Sequence, residues 1–212
     1  MTNELTKSKE LVKLDFTEDQ KKLIKDQIAP KATDNELKLF IYQAQRTGLD
    51  PLARQIYAIH RKSKDPNGNW TERMTIQTSI DGFRVIAERS GDYAGQDEPV
   101  FHREDNQLYC KVAVYRFRGE TRYQAAVGVA YWNEYVQIDK EGKPFGLWAK
   151  MPHTMLSKVA EALALRKAYP QDLSGLYTGD EMDQVEQPKS DLLFTWETEL
   201  KNCKTKADLV AL

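Results

Sequence analysis

The chain has 212 residues, 41% of them hydrophobic and 30% charged, the make-up of one substantial water-soluble domain plus a small appendage. No apolar run approaches the ~18–20 residues of a membrane helix, and the polar start Met1-Thr-Asn-Glu-Leu-Thr-Lys-Ser-Lys-Glu10 lacks the apolar core of a secretion signal. The formal net charge is only −1, yet it is unevenly spread: residues 51–90 carry +3, residues 111–170 carry +5 and residues 171–200 carry −7.

Residues 1–16 read as a flexible arm. Residues 17–28 predict a first helix, with Thr17 as N-cap and Gln20 three residues on, and Pro30 ends it. Thr33-Asp34-Asn35-Glu36 is a second capping box. Leu37, Phe40, Ile41 and Ala44 follow at helical spacing, and Gly48 closes that helix as a left-handed cap. After a turn at Leu49-Asp50-Pro51-Leu52, residues 55–62 predict a strand with Ile56, Ala58 and His60 on one face and Tyr57, Ile59 and Arg61 on the other. Asp65-Pro66-Asn67-Gly68-Asn69 is a strong turn signal, and residues 70–78 return as the partner strand. Ser79-Ile80-Asp81-Gly82 opens a short helix that ends at Gly91. Strands follow over 107–117 and 121–135, joined at Arg118-Gly119-Glu120. A turn over 140–143 leads to a helix from Pro152, a favoured first-turn residue, to Pro170.

The expected class is α+β, an antiparallel hairpin-rich sheet packed with helices. The core spans 17–183, with a linker over 184–190 inside an acidic stretch that runs from Thr178 to Ser190. In residues 191–212, Leu192, Phe194, Trp196 and Leu200 could line one helix face. Two helices of that size cannot bury a core, so this piece either docks elsewhere or is part of a larger helical module.

Enzyme signatures are missing. There is no GxxxxGK[ST] phosphate loop, no GxGxxG, no HExxH, no paired CxxC and no GxSxG elbow, and His60, His102 and His153 are scattered. Cys110 and Cys203 lie far apart without metal-ligand spacing, which suits a reduced cytoplasm. Glu141-Gly142-Lys143 has the acid-x-Lys form of some nucleases, but in a turn-rich stretch without a clear upstream acid. Asp97-Glu98 is an exposed acidic pair. A metal-dependent nuclease and a DNA-independent interaction adaptor therefore remain as alternatives. Without a nucleotide loop, any strand pairing must be driven by binding and base-pairing energy.

A basic body followed by an acidic stretch attends nucleic-acid binding, although a solvated surface with an acidic linker gives the same count. Arg54, Arg61, Lys62 and Lys64 cluster around the first hairpin, with Arg73 on its return strand. Arg116, Arg118 and Arg122 crowd the second, and Lys150, Lys158, Arg166 and Lys167 lie on or beside the long helix. Lys158, Ala162 and Arg166 recur every four residues, so the two cations share a face about 12 Å apart. Phosphates on an extended strand are ~6–7 Å apart, about twice the helical rise, so such a face could follow a strand. The plainer alternative pairs Arg166 with Glu161 and leaves Lys158 solvated. Bases also stack on aromatics for ~1–3 kcal/mol. Tyr57, Trp132 and Tyr135 suit a core better, whereas Trp148, in a Gly-Leu-Trp-Ala-Lys loop, suits either a stacking platform or a lid on the core.

Three motifs in order carry a family resemblance. Thr47-Gly-Leu-Asp-Pro-Leu-Ala-Arg-Gln-Ile-Tyr-Ala-Ile59 resembles the GL-x-P…IYA signature of the Bet (Red-beta) and RecT-type annealing proteins of phage recombination. Ser79-Ile-Asp-Gly-Phe-Arg84 is similar to their DG-aromatic-x-R segment. Trp148, Pro152, Met155-Leu156, Lys158, Ala160 and Arg166 resemble their last core helix, and Gly175-Leu-Tyr-x-x-Asp-Glu181 their closing segment. The likeness covers about residues 15–183. It implies a core distantly like the Rad-fifty-two annealing fold and single-strand annealing without ATP, with no required cofactor and Mg2+ only as a modulator of DNA binding. It also implies rings or helical filaments of one chain, single-stranded DNA and annealed duplex as ligands, and a phage exonuclease and host single-strand-binding protein as partners of the C-terminal module. The family's basic positions fall on Lys31, Arg54, Lys62, Lys158 and Arg166. Arg84 also matches, in a segment that could make it structural. His153 stands where the family often has Lys, and Asp139 or Lys140 falls at another basic site. Arg61, Lys150, Lys167 and Trp148 complete the expected DNA-binding set, arranged as one cationic channel through 62, 158 and 166.

Overall fold

The computed structural model describes residues 14–64, 69–105 and 107–181, and the linker and C-terminal helices expected over 184–212 lie outside them. Two helices open the fold. α1 (Glu18–Gln27) and α2 (Asp34–Thr47) each start from a reciprocal capping box. Thr17 and Gln20 exchange bonds of 2.9 and 3.3 Å, and Thr33 and Glu36 bonds of 2.8 and 3.3 Å. Gly48 ends α2 at φ +65°, a conformation that costs a glycine nothing. Phe16, at the end of the expected arm, is buried, and Leu14 packs beside it.

β1 (Ile56–Lys64) and β2 (Trp70–Thr78) form a two-stranded antiparallel hairpin in register from Ile56↔Thr78 to Lys64↔Trp70. Most of the expected turn between them is outside the described residues. Ser79 then caps α3 (Ile80–Arg89) through its hydroxyl, which accepts from Gly82 N at 3.0 Å.

A second sheet contains β3 (Tyr93–Gln96), β4 (Val100–Glu104), β5 (Gln107–Arg118) and β6 (Thr121–Tyr131). β6 pairs along one edge of β5. The other edge is shared end to end by β3, against Arg116 and Val114, and β4, against Lys111 to Gln107. Neither β3 nor β4 was expected from sequence. Each has four or five residues, and Asp97-Glu98-Pro99 separates them, with Pro99 supplying no N–H to a ladder. The strand expected over 121–135 stops at Tyr131, and the short α4 (Trp132–Tyr135) turns the chain away.

α5 (Gly146–Lys150) precedes α6 (Pro152–Ala168), which lies across β5 and β6, and α7 (Pro170–Leu173) follows. Gly128 of β6 is the seat of α6. A Cβ there would lie 2.0 Å from Ala160 O and 2.6 Å from Ala164 N, so helix and strand touch backbone to backbone. One apolar cluster joins Ile24, Phe40, Leu49, Ile56, Phe83 and Leu165, and a second joins Cys110, Val112, Trp148, Leu156 and Val159 on the same sheet. The chain is therefore α+β with antiparallel sheets, and α6 and β5 both contribute buried residues to each cluster.

Candidate nucleic-acid interface

Lys158, Ala162 and Arg166 do share one face of α6, but it is not a solvent face. Ala162 is fully buried, and the chain returns over this face as the segment from Gly175 to Glu181. Thr78 N donates to Tyr177 O at 2.9 Å, tying that segment to the end of β2. Arg166 donates from Nε to Leu176 O (3.2 Å) and from Nη2 to Glu181 Oε2 (2.5 Å), and its guanidinium lies over the rings of Tyr177 (4.8 Å) and Phe83 (5.6 Å). The same Glu181 oxygen accepts from Thr178 N and Thr178 Oγ1, both at 2.9 Å. Sequence reasoning offered Glu161 as the partner of Arg166. The acid is Glu181, because Glu161 is already held by Arg84 through two bonds of 2.6 and 2.8 Å. Arg84 also reaches Asp81 at 3.0 Å, so its charge is spent on tying α3 to α6.

Two turns before Arg166, Lys158 stands at the edge of a cleft of about 320 Å³ between the β1–β2 hairpin, the start of α3, α6 and the closing segment. Tyr57, Ile59 and Gln77 line its hairpin wall, Ser79 to Asp81 its α3 wall, and Thr178 to Asp180 its far side. Lys158 Nζ is 3.9 Å from Asp180 Oδ2. Arg61 acts on the same carboxylate from β1. Its guanidinium donates to the Gln77 amide oxygen at 2.5 and 3.0 Å once that amide is oriented by its hydrogen bonds. Burial pushes the Asp180 carboxyl above the usual aspartate value, while Lys158 and Arg61 pull it down and Glu181 pushes it up. The cleft thus sets Lys158 of α6 beside the Asp180 carboxylate, which also feels the charge of Arg61 on β1.

The model of the RecT family matches residues 14–192. The chain belongs to the RecT family. No curated protein and no solved structure shows significant similarity to it. RecT-family membership supports a general function in single-stranded DNA annealing and recombination, and RecT-family proteins are typically non-catalytic annealing proteins. Among the described residues, no group of three or more His, Cys, Asp or Glu side chains is placed to hold a metal ion. Glu141 and Lys143 of the acid-x-Lys match lie in an exposed turn, where their backbone N–H groups donate to Asp139 at 3.0 and 2.9 Å. Burial pushes the Cys110 thiol up to about 11, so it stays protonated and inert.

The remaining expected contacts of this RecT-family chain fall into separate places. Lys62 does not join Lys158. Side chains alternate along β1, so Arg61 shares the strand face of Tyr57 and Ile59, which line the cleft, while Lys62 is on the other face with His60. On that opposite face Lys62 lies across from Glu72, which binds Lys31 at 3.0 Å, and His60 lies 3.8 Å from Glu36. The expected single channel through 62, 158 and 166 is therefore corrected: Lys62 is on the hairpin face opposite the one that lines the Lys158 cleft, and Arg166 is bonded within the fold. Trp148 is 1% exposed in the second apolar cluster, edge-on to Trp132 at 5.5 Å, which makes it a core residue and leaves no face for a base. Arg54 is exposed at φ +58° in the turn that starts at Pro51. Lys150 is exposed at the end of α5, and His153 is exposed against the Phe101 ring (4.9 Å). Lys167 donates to Val127 O at 3.1 Å.

Gln77, Tyr177, Asp180 and Glu181 were not singled out from sequence as site residues. The closing Gly-Leu-Tyr-x-x-Asp-Glu motif overlaps the acidic stretch from Thr178, whose composition reads as linker. The signal that could have found them is the surplus of cations on the inner face of α6, which needs acids from elsewhere.

Proposed function

We propose that this chain is an ATP-independent annealing protein that grips the sugar-phosphate of one DNA strand, leaves its bases exposed and pairs a complementary strand within a homo-oligomer. The RecT family match over most of the chain carries this reading. The cleft supports it, since sequence-independent annealing calls for phosphate contacts and free base edges. Lys158 and Arg61 are the proposed phosphate contacts. Tyr177, 45% exposed beside the cleft, replaces Trp148 as the proposed stacking aromatic. The exposed cations Lys31, Arg54, Lys62, Lys150 and Lys167, together with the exposed His153 ring, extend the proposed surface, and repetition along an oligomer adds many weak contacts. A phage exonuclease and a host single-strand-binding protein, in a bacterial cytoplasm, are the proposed partners and setting.

The test is to mix two complementary labelled oligonucleotides sequentially with the full chain, without nucleotide, and to image particles with one strand and with both. The expected result is faster pairing than in buffer, with larger assemblies once the second strand arrives. Pairing no faster than in buffer, with no salt-sensitive binding, would favour the adaptor alternative. Magnesium-dependent cutting of a labelled strand would favour the nuclease.

A further inference from the structure

Asp180 and Glu181 are neighbours, but α6 treats them differently. Glu181 has one oxygen filled by three donors at 2.5–2.9 Å and is 9% exposed, so it belongs to the framework. Asp180 faces Lys158 at 3.9 Å, too far for a direct hydrogen bond, at the edge of the cleft. Its side chain is 17% exposed and that of Lys158 is 37% exposed, so solvent reaches the pair. Gly179 beside it packs on Gln77, where an added Cβ would meet the end of that side-chain amide at 2.8 Å, so the closing segment lies tight against the hairpin wall at this point.

A strand phosphate brought to Lys158 meets this carboxylate at close range. It must displace Asp180 or bind beside a like charge. We propose that Asp180 is an internal competitor for the phosphate at Lys158 and sets how loosely the first strand is held. The proposal rests on the annealing reading above. Its use there is plain: a strand held loosely at each subunit can shift and be retested against a complement, whereas a strand held tightly cannot. Glu181 keeps the closing segment in place while Asp180 is displaced, because its bonds are separate from the Lys158 contact.

The test is fluorescence anisotropy of the full chain with a labelled oligothymidylate across a salt series. The proteins compared are the wild type, Asp180→Asn, Lys158→Ala, the double variant, and Asp172→Asn as a control for net charge on the exposed surface of α7. The expected result for Asp180→Asn is binding about fivefold to tenfold tighter at low salt, the scale of one like charge removed at ~4 Å in water. In the Lys158→Ala background the same substitution should change affinity by less than half as much, since only Arg61 of β1 then acts on that carboxylate. An Asp180→Asn affinity equal to or weaker than wild type, with Lys158→Ala still weakened, would overturn the competitor and leave the annealing reading standing. So would an equal gain from Asp172→Asn, or a full gain in the Lys158→Ala background. Wild-type protein without salt-sensitive binding would remove the annealing reading, and this inference with it.

Discussion

The two ends of the inner face of α6 meet the same turn in opposite ways. At Arg166 the contact is short, multiple and sheltered: a guanidinium between two aromatic rings, bonded to Glu181 and to a backbone carbonyl. At Lys158 it is a 3.9 Å approach to Asp180 at the edge of an open cleft. Both residues were expected to grip DNA because they share a helix face, and the difference teaches that a shared face does not mean a shared job. A guanidinium bonded to a buried carboxylate and packed against two rings holds the fold. A cation with a loose partner beside a cleft is available to a ligand.

That contrast can be broken by substitution. Arg166→Ala should have the largest effect on the fold, a loss of roughly 3 kcal/mol, because Glu181 is left buried with its charge uncompensated. Thermal or denaturant unfolding checks it, and a loss below ~1 kcal/mol would mean that the two ends are alike. Gly128→Ala at the seat of α6 should cost about 1–3 kcal/mol by forcing helix and strand apart. DNA binding should then fall only in step with the unfolded fraction. Lys158→Ala should change stability by under about 1 kcal/mol, as for exposed pairs, yet lower the salt slope of single-strand binding by ~0.7, one phosphate contact.

The smallest effect concerns pH. Burial holds the Asp180 carboxyl above its ordinary value, opposed by Lys158 of α6 and Arg61 of β1 and reinforced by adjacent Glu181. A carboxyl raised in the folded state costs stability above its folded pKa and returns it as pH falls through that value. Acidification therefore releases Lys158 without loosening the turn through Asp180. Single-strand affinity should rise as pH falls, and rise less in Asp180→Asn. The difference between the two proteins is the readout, since every other titrating group is common to both. Identical profiles would separate Asp180 from binding.

Local chemistry made much of the fold legible. The capping boxes at Thr17 and Thr33, the Gly48 cap and the bounds of β2 depend on neighbours within a few residues, and all stand where the sequence puts them. β3 and β4 were invisible because their own runs are short. β3 pairs with the far end of β5, twenty or so residues on, and β4, although it pairs with the start of β5 directly after it, has only five residues. Trp148 reads from sequence as either a stacking platform or a lid on the core, since only tertiary packing decides whether an aromatic in so short a helix as α5 is covered. Alternation along β1 was legible and already separated Arg61 from Lys62, yet both were grouped with Lys158, because which hairpin face meets α6 is set by contacts across a hundred residues. The acids of the closing segment were hidden by composition, two charges in a run that reads as linker.

The central claim is that the Arg61 and Lys158 sides of one cleft hold DNA phosphates. Its most direct test is the slope of log affinity against log salt for single-stranded DNA with the Arg61→Ala/Lys158→Ala protein. The expected result is a slope about 1.4 shallower than wild type, two contacts at ~0.7 each. A slope equal to wild type, with the protein folded, would contradict it.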